Sequence, residues 1–322
     1  MKTAAFLVPT GVGASIGGFA GDASNFARKI AQNTRLIVNP NVVNAACFSG
    51  ITPNMLYTEG LAIDDFFEGK IALRPDKDNK IGVIFDKAIS QSVLNIHINT
   101  INAVKTVYGV DIIGYEITAE PVGVEFLNEE SGISSGNLNN AQTLIEAGKK
   151  LKDQGAQAIA VVCLFDEPEE DGYAQGEGVD IVGGVEAVIS HILTRELTMP
   201  AAHSPAFEDV TIKDKLVDPR AAAEYITPTF LPCILLGLQN APHLVPIEKA
   251  QDGDIKIDDL DALIMPYNSL GCLPVLEASR RNIPIITVRE NKTVLDVTAD
   301  KLNINVIEVE SYAQAEEVLE KL

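Results

Sequence analysis

Gly11, Gly13, Gly17, Gly18 and Gly21 fall within eleven residues of the segment PTGVGASIGGFAGDA. Glycine tolerates positive φ and lets backbone come close to a ligand. The apolar run AAFLV before the segment reads as a strand, and SNFARKIAQN after it reads as a helix. A helix start adds unpaired N–H groups and a partial positive charge. The combination suits a phosphate or carboxylate; the competing account is a tight structural turn. The named phosphate-binding loops do not match. A dinucleotide fingerprint needs glycine where Ile16 stands, and the next strand, RLIVNP, ends in Asn39 and Pro40 instead of a ribose-binding acid. A Walker loop needs Lys and Ser or Thr where Phe19 follows Gly18. NAD is therefore disfavoured. Asp22 would repel an anion unless it turns away or holds a cation.

Asn41 and Asn44, with Asn39, sit where the second strand ends, on the side of the glycine segment. Asparagine donates and accepts, so it can meet a carboxylate or a neutral polar group, although it is also a common turn former. His203, in AAHSPAFED, follows a strand-like start and precedes a proline turn; its pKa range suits general acid–base work near neutral pH. His97 lies in an apolar pattern and reads as a packing residue, and His191 as a core histidine on a helix opened by Gly183 and Gly184. Those two glycines leave N–H groups for a second anion. Cys272 at a helix start is a candidate thiolate nucleophile, against the alternative of a buried inert thiol. Asp166 and Glu170 follow the strand AIAVVCLF directly; carboxylates there can hold magnesium or manganese, or simply extend into water. No G-x-S-x-G elbow is present.

A second half-site lies in DALIMPYNSLGCLPVLEASRRNIPIITVREN. Asn268, Ser269 and Gly271 follow one strand, and Arg289 and Asn291 follow the next, so all face one edge of a parallel sheet. The pattern N-S-x-G, then Glu277, then IPIITV resembles the nucleotide-sugar half of two-lobed glycosyltransferases.

The elements that must position these groups are short, continuous apolar runs near residues 4, 35, 110, 158, 262, 283 and 304, alternating with amphipathic helices. Continuous rather than alternating runs mark strands covered on both faces. In NLNNAQTLIEAGKKLKDQG, Ala141, Leu144, Ile145, Gly148 and Leu151 share a face; Ser311 and Gln314 form a capping-box pattern for the last helix. The expected architecture is α/β, with largely parallel sheets, flanking helices and two Rossmann-like lobes around a cleft. The expected division is a lobe over 1–196 with the glycine loop, a Pro-rich connection over 197–254 and a βαβαβ lobe over 255–322. The ligand is expected between the lobes.

Acids outnumber bases 45 to 25, a net charge of −20 that argues against nucleic-acid and anionic membrane partners. Four dispersed cysteines without a C-x-x-C pair fit reduced thiols in the cytoplasm. No apolar stretch reaches the length of a spanning helix, and the longest late one is broken by Pro232. The segments PTGVGASIGGFAGDA, NPNVVNAA, GGVEAVISH, AHSPAFED, DPRAAAEY and GCLPVLEASRRNIPIITVREN together resemble a family of unknown function found mainly in cyanobacteria and plastids. That resemblance implies a cytoplasmic or stromal setting and no particular mechanism. The function expected is an enzyme acting on a small anionic metabolite, phosphorylated or a carboxylate. The glycine loop and Arg289 would hold the anion while His203 moves a proton; self-association into a homo-oligomer is left open. The alternatives are a non-catalytic metabolite sensor and a glycosyltransferase-like enzyme.

Overall fold

The structure, a computed structural model, describes residues 1–76, 78–128, 133–166, 172–212 and 214–322. The chain first lays down β1 (Lys2–Phe6), β2 (Thr34–Val38) and β3 (Met55–Tyr57), with α1 (Ser24–Ile30) and α2 (Gly60–Phe67). It then builds β4 (Ile81–Phe85), β5 (Ile112–Ile117), β6 (Ala158–Leu164) and β7 (Ala201–Ala206), connected by α3 (Gln91–Tyr108), α4 (Ala141–Asp153) and α5 (Ile181–Leu197). After α6 (Leu231–Gln239) come β8 (Ala262–Pro266), α7 (Leu273–Arg280), β9 (Ile285–Val288), β10 (Ile307–Val309) and α8 (Tyr312–Lys321). The strands form two sheets in the orders β10-β9-β8-β1-β2-β3 and β7-β6-β4-β5, parallel throughout. Such sheets need helices on both faces, which is why Ala4, Ala5 and Phe6 are all buried.

The expected division of the chain is corrected by this order. The C-terminal unit is not a separate lobe: β8 lies beside β1, with Ala4 opposite Ala262, and completes the first sheet. The second sheet is an excursion between β3 and β8. An apolar strand such as β1 cannot leave one edge unpaired, and the nearest complementary strand is supplied from the far end of the chain.

The Pro-rich stretch is also more regular than its composition implies. Pro205 lies inside β7, an edge strand, where a missing N–H interrupts no central ladder. Pro232 occupies the first turn of α6, where its N–H would be unpaired anyway. Leu231, Ile234, Leu235 and Leu238 of α6 join Phe6 of β1, Phe85 of β4 and Val162 of β6 in one apolar cluster. The two sheets therefore share a core, with α6 as its common helix.

Elsewhere the expected periodicity holds. Leu144, Ala147, Gly148 and Leu151 form the buried face of α4. His97 is buried on α3, its Nδ1 2.9 Å from the Val93 carbonyl. Ser311 Oγ accepts the Gln314 N–H, and Gln314 Oε1 accepts the Glu310 N–H at 2.8 Å, so α8 is capped from both directions. Ser311→Ala is expected to cost about 1 kcal/mol, measured as a lowered urea midpoint. Among the described residues no helix is long and apolar enough to cross a membrane.

Candidate functional site

A cavity of about 680 Å³ opens at the carboxyl ends of β1, β2, β3 and β7, where parallel sheets gather their loops. Its walls are the glycine loop, Asn41 and Asn44 after β2, Tyr57 and Glu59 after β3, the start of α5 with Asp180 and Glu186, and the stretch around Glu224. The loop is shaped by its glycines. Gly11 and Gly13 have φ of 68° and 57°, and a Cβ on Gly18 would lie 2.1 Å from the Ala14 carbonyl oxygen. Positive φ on both sides of Val12 is a conformation that L side chains rarely adopt, which is why glycine stands at both positions. Among the described residues, the N–H groups of Gly13 and Ala14 have no hydrogen-bond partner.

The surrounding contacts fix this loop in place. Asn291, expected to touch ligand, instead holds Ile16: its Nδ2 donates to the Ile16 carbonyl at 2.7 Å and its Oδ1 accepts the Ile16 N–H at 3.1 Å. Asp22 accepts the Gly17 N–H at 2.6 Å, and burial pushes its carboxyl up to about 6. It is spent on the loop's own backbone and does not line the cavity. The helix start expected to face the ligand is not that of α1, whose first residue lies outside the cavity wall, but that of α5. There the anion position is already filled. Asp180 Oδ1 accepts the N–H groups of Val182 and Gly183, and Ser134 Oγ accepts that of Gly184, so the Gly183–Gly184 pair is closed to a second anion.

Six acidic residues line the cavity, Glu59, Asp64, Asp180, Glu186, Asp209 and Glu224, and among its described lining residues there is no Lys or Arg. Burial is the main cause of the raised pKa values of Glu59, Asp64, Asp180, Glu186 and Glu224. Glu59 and Asp180 are pushed up to about 7, and Glu186 and Glu224 to about 8. At neutral pH Glu186 and Glu224 are mostly protonated and Glu59 and Asp180 about half so, and a protonated carboxyl can donate as well as accept. Glu59 caps α2 through the N–H groups of Leu61 and Ala62. Glu224 accepts the Tyr173 hydroxyl at 2.7 Å and the Ala20 N–H at 3.0 Å, tying the 172–224 region to the glycine loop.

His203 reaches the cavity, but its role differs from the one expected. Its Nε2 accepts the Cys163 N–H at 3.2 Å, which assigns the proton to Nδ1, 3.1 Å from Glu186 Oε1. The ring stacks on Phe165 at 4.9 Å and 13°, and burial pulls its pKa down to about 3. Both nitrogens are engaged, so His203 holds Glu186 and has no free nitrogen for a substrate proton. Cys272 also lines the cavity, but burial outweighs the helix start and pushes its thiol up to about 11, which removes it as a neutral-pH thiolate.

The C-terminal candidates do not join them. Arg289 is half exposed, paired with Glu308 at 2.6 Å, and does not line the cavity shared by His203 and the glycine loop. Asn268 donates to the Thr293 and Leu295 carbonyls, and Ser269 and Gly271 pack beside Val297. Glu277 pairs with Arg280, so the glycosyltransferase-like pattern serves local structure. Asn41 and Asn44 do line the cavity: Asn41 Nδ2 donates to the Pro9 carbonyl, and Asn44 accepts the Tyr57 hydroxyl. Asp166 is exposed, Glu170 lies outside the described residues, and among the described residues no three acidic, His or Cys groups could hold a metal ion.

The residues missed in the sequence are Glu59, Asp180, Glu186 and Glu224. Two carried a signal: Glu59 and Asp180 each directly precede a helix, where an acid caps it. Glu186 is an isolated acid in the apolar context GGVEAV. Glu224 gave none.

Fold and site thus define an α/β protein of two parallel sheets with an acid-lined cavity at their carboxyl ends. The chain belongs to the family described as "Protein of unknown function (DUF3326)", matched over residues 3–321. It is 37% identical over 320 residues to an "uncharacterized lipoprotein" of Synechococcus sp., covering 97% of this chain and 88% of that protein. Among solved structures it is similar to an ABC transporter solute-binding protein from Conexibacter woesei, 11% identical, spanning 74% of this chain and 94% of that one. The TM-score is 0.20, too low to indicate a shared fold.

Proposed function

We propose that this protein is an enzyme acting on a small anionic metabolite, a carboxylate or phosphorylated compound, bound in the acid-lined cavity. The observation that carries this reading is Glu186: one oxygen is held by a neutral histidine, and the group is tuned to about 8 at the cavity wall. A carboxyl that exchanges its proton near neutral pH suits general acid–base work. The anion sits on the Gly13 and Ala14 N–H groups. Protonated carboxyls around it do not repel it. The proposal includes a cytoplasmic setting without nucleic-acid or membrane partners, supported by the net charge of −20; the word lipoprotein in the relative's name points to a different setting for that protein.

A metabolite sensor in the same cavity is the second reading. It draws on the Glu224 and Tyr173 bonds to the glycine loop, which would couple ligand to the 172–224 region. Thermal-shift screening of carboxylates and phosphorylated metabolites tests the binding. A ligand at 100 times its dissociation constant is expected to add ~2.7 kcal/mol of stability. Gly13→Val should abolish that gain, because its Cβ would sit 3.0 Å from Val179 and Val294 at a φ of 57°. An undiminished gain means that the loop is only a turn. Product formation from the stabilising compound, lost in Glu186→Gln even at ligand concentrations that saturate the variant, separates enzyme from sensor.

A further inference from the structure

This inference deepens the proposed reading and rests on its anion site. We infer that the ligand is a zwitterion, and that Asp180, Glu186 and Glu224 together receive its ammonium group.

Each of these carboxyls is used by the protein on one side only. Asp180 Oδ1 takes the Val182 and Gly183 N–H groups, Glu186 Oε1 takes His203, and Glu224 Oε1 takes both Tyr173 and Ala20. The second oxygen of each has no hydrogen-bond partner among the described residues. None of these three oxygens is among the fully enclosed orphan atoms, so each still reaches open space, and all three residues line the cavity. They come from three places in the chain: the cap of α5, its second turn, and the Ala222–Tyr225 helical turn. They also feel one another's charge, Asp180 through Glu186, and Glu224 through both.

Carboxyls gathered on one cavity with no Lys or Arg among its described lining residues cannot ionise together unless something else brings positive charge. A metal ion is a poor fit, since among the described residues no three acidic, His or Cys groups could hold one. An ammonium carries three rotatable donors and suits acceptors spread more widely than a coordination shell permits. The unpartnered Gly13 and Ala14 N–H groups lie on the wall of the same cavity, so its lining offers donors for an anion and acceptors for a cation. A small molecule bearing both charges matches that lining: an α-amino acid or an amino-bearing phosphate ester.

Calorimetry on the whole chain at pH 7.5 tests this with matched pairs. Each α-amino acid is compared with its des-amino carboxylic acid, and phosphoethanolamine with ethyl phosphate. A hydrogen bond to a charged group corresponds to roughly ten- to hundredfold in affinity. At least one amino-bearing member is expected to bind about tenfold or more tightly than its partner. Glu186→Gln and Glu224→Gln should each shrink that preference while the des-amino partner binds as before; either variant, shown folded by circular dichroism, is sufficient. Des-amino members that bind as tightly as their partners overturn the inference and leave the anion reading standing. Binding by no member of either series overturns both.

Discussion

Raising the pH from 6.5 to 9 is expected to destabilise the unliganded protein by on the order of 3–5 kcal/mol. Glu186 and Glu224 are held at about 8 and Glu59 and Asp180 at about 7, against ordinary values of 4.5 and 3.8. Across this window the unfolded chain has already released these protons, whereas the folded chain still holds them. The folded state binds more protons, so stability falls as pH rises and levels off once the four groups have ionised. Below pH 6.5 three histidines oppose the trend. Burial lowers His203 to about 3 and also lowers His97 and His191, so the folded chain takes up these protons less readily than the unfolded chain, which costs stability as pH falls. The Cys233 and Cys272 thiols, raised by burial from 9.0, contribute only toward the alkaline end. Urea unfolding at several pH values in this window checks the expectation, and Glu186→Gln should flatten the decline. Stability that is constant or rises from pH 6.5 to 9 means that these carboxyls ionise freely and that the cavity is wetter than its burial implies.

His203→Phe is expected to cost about 2–4 kcal/mol even though an aromatic ring able to stack on Phe165 remains. The cost comes from the two partners left behind: the Cys163 N–H, buried inside β6, and the Glu186 carboxyl. The same substitution should move the Glu186 titration upward, because the carboxylate form loses its donor. A merely packing histidine would leave that titration in place. A general base would abolish turnover while leaving the alkaline stability decline unchanged. Paired urea and pH measurements on the variant distinguish these roles, and wild-type stability in His203→Phe would show that the two hydrogen bonds contribute nothing.

Much of the scaffold is written locally. β1, β2, β6 and β8 are continuous apolar runs that can be read as strands without knowing their neighbours, and the α4 face and the Ser311 cap follow from spacing alone. The glycine loop was legible too, because a chain needing positive φ at Gly11 and Gly13 must place glycine there. What escaped is what depends on distant partners. β4 is a short IGVIF run whose Gly82 makes sense only once Leu151 of α4 packs against it. The pairing of β8 with β1 joins residues some 258 positions apart, as in Ala4 and Ala262, and no local pattern encodes that choice. Likewise Arg289 looked like an anion holder until Glu308 on the neighbouring strand proved to be its partner, and His203 looked like a base until Cys163 and Glu186 took both of its nitrogens. Sequence by itself determined which segments could be buried and where the backbone could turn, since those are properties of one residue and its near neighbours. Tertiary structure alone decided which polar groups meet in the cavity, because burial raises the pKa of a carboxyl only after elements far apart in the chain have closed around it.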